Sequence, residues 1–194
     1  MIIGGGISAC VFASSYLKKH TNEKIAIIEA GRSLGGRSST RISNKNRGWQ
    51  LNHGSPSLNF CNYQNDQLLR NFIKDLLEKK IIKNDDSELI NLTKGKKIDL
   101  EKNEFYRGSN YVASSSMTEL SWNIISLHNL RNQIDFYFKT LIVKLFYDKN
   151  QWTLISMNGE IFKSRFIVFS SNLLLHKRVL KILKSNKIPL RDAI

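Results

Sequence analysis

The sequence predicts an α/β fold built on a parallel sheet, and three features at its start support this prediction. Ile2 and Ile3 form a short apolar strand ahead of a run of glycines. Apolar residues from Ala9 to Leu17 then recur at the spacing of a helix. Residues 24–29 contain a short run with three β-branched isoleucines, which is typical of a strand buried on both faces of a parallel sheet. Strand, helix and strand together make one βαβ unit.

The glycine run lies where a dinucleotide-binding turn is needed. The segment GGGISA at 4–9 fits the pattern G-x-G-x-x-G/A and stands between a strand and a helix. Gly4 permits the tight turn, Gly6 permits close approach of a pyrophosphate, and Ala9 permits close packing of helix on strand. We also expect Gly6 to need a backbone conformation that a β-branched residue resists.

The start of the helix and the end of the second strand complete the predicted nucleotide site. Ile7 and Ser8 open the helix, where free N–H groups and the positive end of the dipole attract phosphate. Glu29 ends the second strand and is the acid expected to accept hydrogen bonds from ribose hydroxyls. The alternative is a glycine-rich turn that serves the fold alone, with no nucleotide.

A second glycine pair indicates which dinucleotide the predicted site would bind. After Glu29 and Ala30 come Gly35 and Gly36, followed at once by Arg37. This stretch resembles the R-x-G-G-R segment of the FAD-dependent amine oxidase superfamily, which in that family lies along the FAD diphosphate. The glycines permit close backbone approach, and the arginine supplies charge-assisted hydrogen bonds. The resemblance implies FAD as the cofactor, with residues 30 and 35–37 among its contacts.

The sequence resembles in particular the renalase-like branch of that superfamily. Residues 51–57 look like its D-x-G-A-Q-Y stretch, which passes near the flavin. The resemblance implies flavin-side contacts for Gly54, Ser55, Pro56 and Ser57. Two departures stand out here, because Asn52 replaces the usual acid and Pro56-Ser57 replaces Gln-Tyr.

Further along the chain, the resemblance covers the strands that return to the cofactor sheet. Residues 138–142 with Trp152 downstream are similar to a strand pair in which the residue matching Ile142 offers its backbone to the adenine. Residues 166–172 resemble the returning strand, although Asn172 stands where proline is common.

The fold implied is a Rossmann-like FAD-binding domain of the glutathione-reductase type, with an inserted, incomplete α+β substrate domain. We place the first part of the FAD-binding domain at 1–60, the inserted segment at 61–130 and the returning part at 131–194. Family members continue beyond the returning part. We therefore expect this chain to be a truncated, N-terminal fragment.

Periodicity predicts the remaining elements. A helix is expected over 66–83, and a second helix after Ser116, with Glu119 in a capping box. Strands are expected at 134–138, 141–147 and 151–157, and a buried strand at 166–169. Asn158-Gly159 is a two-residue hairpin signal between the last two of these segments, Lys94-Gly95-Lys96 is a further turn, and a closing helix is expected at 173–183.

Composition narrows the class of protein. The chain of 194 residues has a net charge of +14, but its lysines are scattered rather than arranged in one stripe with aromatics, which argues against a nucleic-acid binder. We see no membrane span, secretory signal or metal-ligand spacing, and expect a cytoplasmic protein without a metal. The two cysteines have no redox spacing, and Cys10 is expected in the core.

No residue is assigned a catalytic role. His53 is near the predicted flavin stretch, and we favour a cofactor contact or a structural hydrogen bond over proton transfer. The tryptophans at 49, 122 and 152 are expected in the core rather than around a substrate.

The leading hypothesis is an FAD-dependent oxidoreductase in which an amine or a dihydronicotinamide passes a hydride to the flavin. The substrate is implied by the resemblance alone. One alternative is a non-catalytic, truncated FAD-binding remnant. A third hypothesis is a basic module that binds nucleic acid or another anion.

Overall fold

The structure is a computed structural model and describes residues 1–43, 48–52, 54–60, 65–86, 91–93, 96–98 and 108–170. The chain divides into two compact units, one made of Met1–Gly36 with Ile125–Ile194 and the other of Arg37–Ile124. Whether these units correspond to the functional domains placed at 1–60, 61–130 and 131–194 stays a prediction. None of the helices within the described ranges has the length and apolarity needed to cross a membrane.

The strands are β1 (Ile2–Ile3), β2 (Ile25–Ile28), β3 (Thr40–Ile42), β4 (Gln50–Asn52), β5 (Leu58–Phe60), β6 (Ile82–Asn84), β7 (Asn91–Thr93), β8 (Lys96–Ile98), β9 (Ser109–Ala113), β10 (Ile134–Tyr137), β11 (Ile142–Asp148), β12 (Gln151–Ser156), β13 (Ile161–Ser164) and β14 (Val168–Phe169). The helices are α1 (Ile7–Lys19), α2 (Gln67–Glu78) and α3 (Met117–Ser126).

The first unit is built on a parallel sheet with the strand order β10-β2-β1-β14. Each neighbouring pair is parallel, with Ile2 opposite both Ile27 and Val168. The predicted parallel α/β fold is therefore confirmed. Strand β2 lies on one side of β1 and β14 lies on the other. The edge of β1 therefore marks the topological switch point of the sheet, where ligands bind in folds of this kind.

Helix α1 covers one face of this sheet. Its buried side is made of small and apolar residues, and Ala9, Cys10 and Leu17 are fully buried. Phe12 and Tyr16 line a cavity of about 500 Å³ together with several residues that include Ile2, Ile25 and Val168. Those three strand residues therefore face α1.

An antiparallel meander covers the opposite face. Strands β11, β12 and β13 pair in sequence, with Leu145 opposite Leu154 and Leu154 opposite Phe162. These residues pack with Ile28, and Ile3 and Phe169 also lie against the cluster. The first unit thus has three layers, with the parallel sheet between α1 and the meander.

The second unit contains short antiparallel sheets and the helix α2. Strands β5, β9 and β6 form one sheet, and β3 pairs with β4 and β7 with β8. Asp66 caps α2, since its carboxylate accepts from the N–H groups of Leu68 and Leu69. Ser116 caps α3 as predicted, because its Oγ accepts from the N–H of Glu119 at 3.2 Å.

Three expectations about element bounds and burial are wrong. Helix α2 ends at Glu78 rather than at 83, because Lys80 has a left-handed φ of 54° and Ile82 pairs with Ala113 of β9. The strand expected to be buried at 166–169 covers only 168 and 169, which are half-buried, and Phe166 is exposed. Trp49 is 51% exposed and is not in a core.

Other expectations have a clear outcome. Strands β12 and β13 form the hairpin expected at Asn158-Gly159, but β12 ends at Ser156 and β13 begins at Ile161, so the connection is longer than the two residues predicted. Gly159 has a φ of 87°, and its N–H donates to the Ser156 carbonyl. The burial of Cys10 is confirmed. The closing helix at 173–183 and the turn residues Lys94 and Gly95 lie outside the described residues.

Candidate functional site

The first glycine turn lies at the carboxyl end of β1. Gly4 has a φ of 102°, which other residues rarely adopt, and its N–H donates to the Ile28 carbonyl at 2.8 Å. Helix α1 follows directly, with Gly6 as its N-cap and no side-chain cap. No acidic residue occupies the first turn of α1. The positive end of the helix dipole therefore has no anionic side chain from its own first turn.

The second glycine segment packs directly against the first. The N–H of Gly35 donates to the Gly5 carbonyl at 2.8 Å, and Gly35 forms a parallel β-bridge with Gly6. Gly36 has a left-handed φ of 55°, and a Cβ added there would lie 3.4 Å from the Gly6 Cα. We call the packed set of Gly4, Gly5, Gly6, Gly35 and Gly36 the glycine ledge. The structure thus joins two motifs that are about thirty residues apart in the sequence.

Gly6 is a glycine that the protein fold itself does not require. Its φ of −75° and ψ of 177° are extended values open to any residue, so the expected backbone restriction is wrong. A Cβ added at Gly6 would meet no atom of the described residues within 4 Å. Gly5 is the opposite case, because an added Cβ there would lie 2.9 Å from Leu34 Cδ2 and 3.1 Å from Glu29 Cβ.

The Glu29 carboxylate joins the first glycine turn to the backbone that follows β2. One carboxylate oxygen, Oε2, accepts from the N–H of Gly5 at 2.6 Å. The other, Oε1, accepts from the N–H of Gly31 at 2.6 Å. A carboxylate offers about four acceptor positions, so two contacts leave capacity for further donors such as ribose hydroxyls. That predicted ribose contact stays a prediction.

The other residues of the first unit that are predicted to contact the cofactor are near the ledge in sequence. Ala9 is fully buried in α1, which fits its expected role in close packing, and Ser8 is exposed one residue earlier. Ala30 is exposed directly after Glu29. Ile7 is half-buried at the first position of α1.

Ile142 is the first residue of the meander, and the residues just before it are hydrogen-bonded to the backbone around Glu29. The N–H of Thr140 donates to the Glu29 carbonyl at 3.0 Å, and the N–H of Lys139 donates to the Gly31 carbonyl at 2.8 Å. The Ile142 side chain belongs to the core cluster, and the pairing with β12 shifts register between Ile142 and Lys144. The adenine contact expected of its backbone stays a prediction.

The second unit brings together the remaining predicted residues. The Arg37 carbonyl accepts from the N–H of Ser55 at 2.8 Å, and a Cβ added at Gly54 would lie 1.7 Å from the Arg37 oxygen. The Ser55 hydroxyl donates to the Ser57 carbonyl at 3.0 Å, across Pro56. The Arg37 side chain is exposed.

Two further residues belong to the stretch at 51–57 that is predicted to pass near the flavin. Asn52, which stands in place of the usual acid, accepts a 2.7 Å hydrogen bond from the Thr40 hydroxyl, its partner across β3 and β4. His53 lies outside the described residues.

Sequence reasoning missed three residues of the first unit. Gly5 and Gly31 flank the Glu29 carboxylate, and their N–H groups are its donors. Ser170 follows β14 with a buried hydroxyl that has no hydrogen-bond partner among the described residues. Gly5 occupies an unspecified position of the glycine pattern, so the pattern alone gives no signal for it.

A family model described as an NAD(P)-binding Rossmann-like domain matches residues 2–76. The matched range includes the βαβ unit of the parallel sheet, and together they support a Rossmann-like fold for the first unit. The match ends inside α2 and covers the whole glycine ledge. A comparison with curated proteins found no match.

Solved structures share this fold at low sequence identity. A CLA-producing fatty acid isomerase from P. acnes has a TM-score of 0.62 at 10% identity, over 91% of this chain and 59% of the other. A candidate protoporphyrinogen oxidase from Exiguobacterium sp. 255-15 has a TM-score of 0.61 at 11% identity, over 94% and 60%. The Diels-Alderase PyrE3 of pyrroindomycin biosynthesis has a TM-score of 0.50 at 10% identity, over 88% and 31%. The chain therefore spans three fifths or less of the length of these structures.

Proposed function

We propose that this chain binds FAD on the glycine ledge and acts as an oxidoreductase that takes a hydride from an amine or a dihydronicotinamide. The observation that carries the proposal is the open space beside Gly6. Neither the backbone conformation nor the surrounding space requires a glycine there, since both would accept a side chain. A ligand that needs the backbone of Gly6 at close range supplies the reason.

The described residues fit the diphosphate of such a cofactor. The uncapped start of α1 offers N–H groups to an anion, and the ledge lies directly beside it. Glu29 retains acceptor capacity for a ribose, within the same unit. By resemblance, Arg37 would bind a phosphate, Ile142 the adenine, and the turn at 54–57 the flavin.

FAD is favoured over a nicotinamide dinucleotide by the second glycine segment. A single glycine turn with an acid on the next strand serves either cofactor. Here Gly35 and Gly36 extend the same ledge, and this pair with Arg37 resembles the FAD-dependent superfamily. The matching family model is described as NAD(P)-binding, so an experiment on cofactor choice must compare FAD with the nicotinamide dinucleotides.

The chemistry itself would come from the cofactor. A bound flavin would supply the hydride-accepting chemistry, O2 or another acceptor would reoxidise it, and this chain would contribute binding and orientation. In this chain, the ledge and Glu29 would fix the nucleotide half. No side chain is assigned to proton transfer.

The direct test is cofactor uptake by the purified chain. FAD, NAD⁺ and NADP⁺ are titrated separately, and bound flavin is followed after gel filtration by its absorbance at about 450 nm. We expect FAD to bind more tightly than either nicotinamide dinucleotide. Failure to take up FAD would overturn the proposal.

A second step separates binding from turnover. The FAD-loaded protein is mixed anaerobically with NADH, NADPH or a primary amine, and loss of the flavin absorbance is recorded. We expect reduction by at least one of these donors. Uptake of FAD with no reduction by any donor would favour the alternative of a non-catalytic FAD-binding remnant.

A further inference from the structure

Ser170 lies beside the glycine ledge although it is distant from it in the sequence. Val168 and Phe169 are opposite Ile2 and Ile3 in the parallel sheet, and the N–H of Ser170 donates to the Ile3 carbonyl at 2.9 Å. The register therefore continues by one residue beyond β14. Ser170 thus stands next to Gly4, at the carboxyl end of the sheet.

The alternation of side chains places the Ser170 hydroxyl on the α1 side of the sheet. Ile3 and Phe169 pack against the meander cluster, whereas Ile2 and Val168 line a cavity with α1 residues. Side chains in a strand alternate between faces, so Ser170 shares the face of Val168. On that face, at that end of the strands, α1 begins at Gly6.

The Ser170 hydroxyl is buried, and it has no hydrogen-bond partner in the part of the chain that the structure describes. A buried hydroxyl without a partner destabilises a protein, so such groups call for an explanation. A hydroxyl can donate a hydrogen bond to a phosphate oxygen, and the start of α1 is where a phosphate is favoured.

We propose that Ser170 is an additional phosphate-binding residue of this site, whose hydroxyl donates to the diphosphate of the bound nucleotide. The inference rests on the proposed function, since it needs a dinucleotide on the glycine ledge. It adds a side-chain donor that follows β14 to the backbone donors of the first glycine turn, so that residues after both β1 and β14 contact the same phosphate group.

The test compares Ser170→Ala with Ser14→Ala. Ser14 is a matched control, because its Oγ is also buried without a partner among the described residues. It lies in α1 about 12 Å along the helix from Gly6. Removing an unsatisfied hydroxyl should leave the stability of either variant unchanged or raised. A purely structural role for Ser170 would instead lower stability.

The affinities of both variants for adenosine, ADP and FAD are then measured. Adenosine lacks the diphosphate that ADP and FAD carry, so the comparison isolates the contribution of the phosphates. We expect Ser170→Ala to lower the affinity for ADP and for FAD by about tenfold to a hundredfold, which is the range for loss of a hydrogen bond to a charged group. Adenosine binding should be unchanged, and Ser14→Ala should match the wild type for all three ligands. Ser170→Thr, which keeps the hydroxyl, should recover most of the ADP affinity.

Unchanged ADP affinity in Ser170→Ala, or an equal loss for adenosine, would overturn this inference while the proposed function stands. Wild-type protein that binds neither ADP nor FAD would overturn the proposed function and this inference together.

Discussion

Two regions of the molecule use glycine in opposite ways. In the second unit, Gly54 is required by the protein, because an added Cβ would lie 1.7 Å from the Arg37 carbonyl oxygen. In the first unit, Gly6 has an ordinary backbone conformation, and no atom of the described residues lies within 4 Å of an added Cβ. The difference separates a glycine that serves the fold from one that a ligand explains.

Gly54→Ala should give the largest loss of stability. The new methyl group would overlap the Arg37 carbonyl, which belongs to the backbone and cannot rotate away. We expect the free energy of unfolding to fall by about 3 kcal/mol or more. Urea denaturation followed by circular dichroism measures this loss.

Gly48→Ala is the control for that substitution. Gly48 has a left-handed φ of 57° and no described atom within 4 Å of an added Cβ, so only backbone strain is introduced. The cost should be about 1 kcal/mol. If Gly54→Ala cost no more than Gly48→Ala, steric contact would not be the reason for the glycine at position 54.

Glu29→Gln tests whether the carboxylate fastens the first glycine turn to the backbone that follows β2. A glutamine amide has one acceptor oxygen, so either the N–H of Gly5 or that of Gly31 would face an NH₂ group. We expect a loss of about 1–3 kcal/mol in unfolding free energy and weaker FAD binding. Glu23→Gln is the matched control, since it removes the same charge at an exposed position of the same unit. Equal stability of the two variants would contradict the role given to Glu29.

Gly31→Ala should have a smaller effect of the same kind. Its Cβ would lie 2.9 Å from Glu29 Oε1 and would push the carboxylate from its position. We expect a loss of about 1 kcal/mol. The double variant with Glu29→Gln should lose less than the sum of the two single losses, because both act on one contact. Strict additivity in a double-mutant cycle would show that Gly31 acts independently of Glu29.

Local patterns predicted the elements whose geometry is set by neighbouring residues. The βαβ unit, the cap at Ser116 and the hairpin at Gly159 depend on nearby residues, and each is present. The end of α2 depends on the pairing of Ile82 with Ala113, thirty-one residues away, so helical periodicity continued past the true end. The exposure of Trp49 likewise depends on tertiary packing rather than on residue type.

The candidate site was predictable only in part. Fixed glycine spacing indicated both segments of the ledge, but their contact depends on the hydrogen bond from Gly35 to Gly5, between residues thirty positions apart. The Glu29 contacts involve backbone N–H groups, which every residue except proline carries. Ser170 needed the register of β14 beside β1, because a serine after an apolar run gives no signal by itself.

The central claim is that the glycine at position 6 serves a ligand and not the fold, and Gly6→Val tests it most directly. Unfolding free energy and FAD affinity are measured on the same preparations of Gly6→Val and wild-type protein. We predict an unfolding free energy within about 1 kcal/mol of the wild type, as for an N-cap substitution, and FAD binding weakened at least about a hundredfold. Wild-type FAD affinity in Gly6→Val would contradict the account, because the space beside Gly6 would then hold no part of the cofactor.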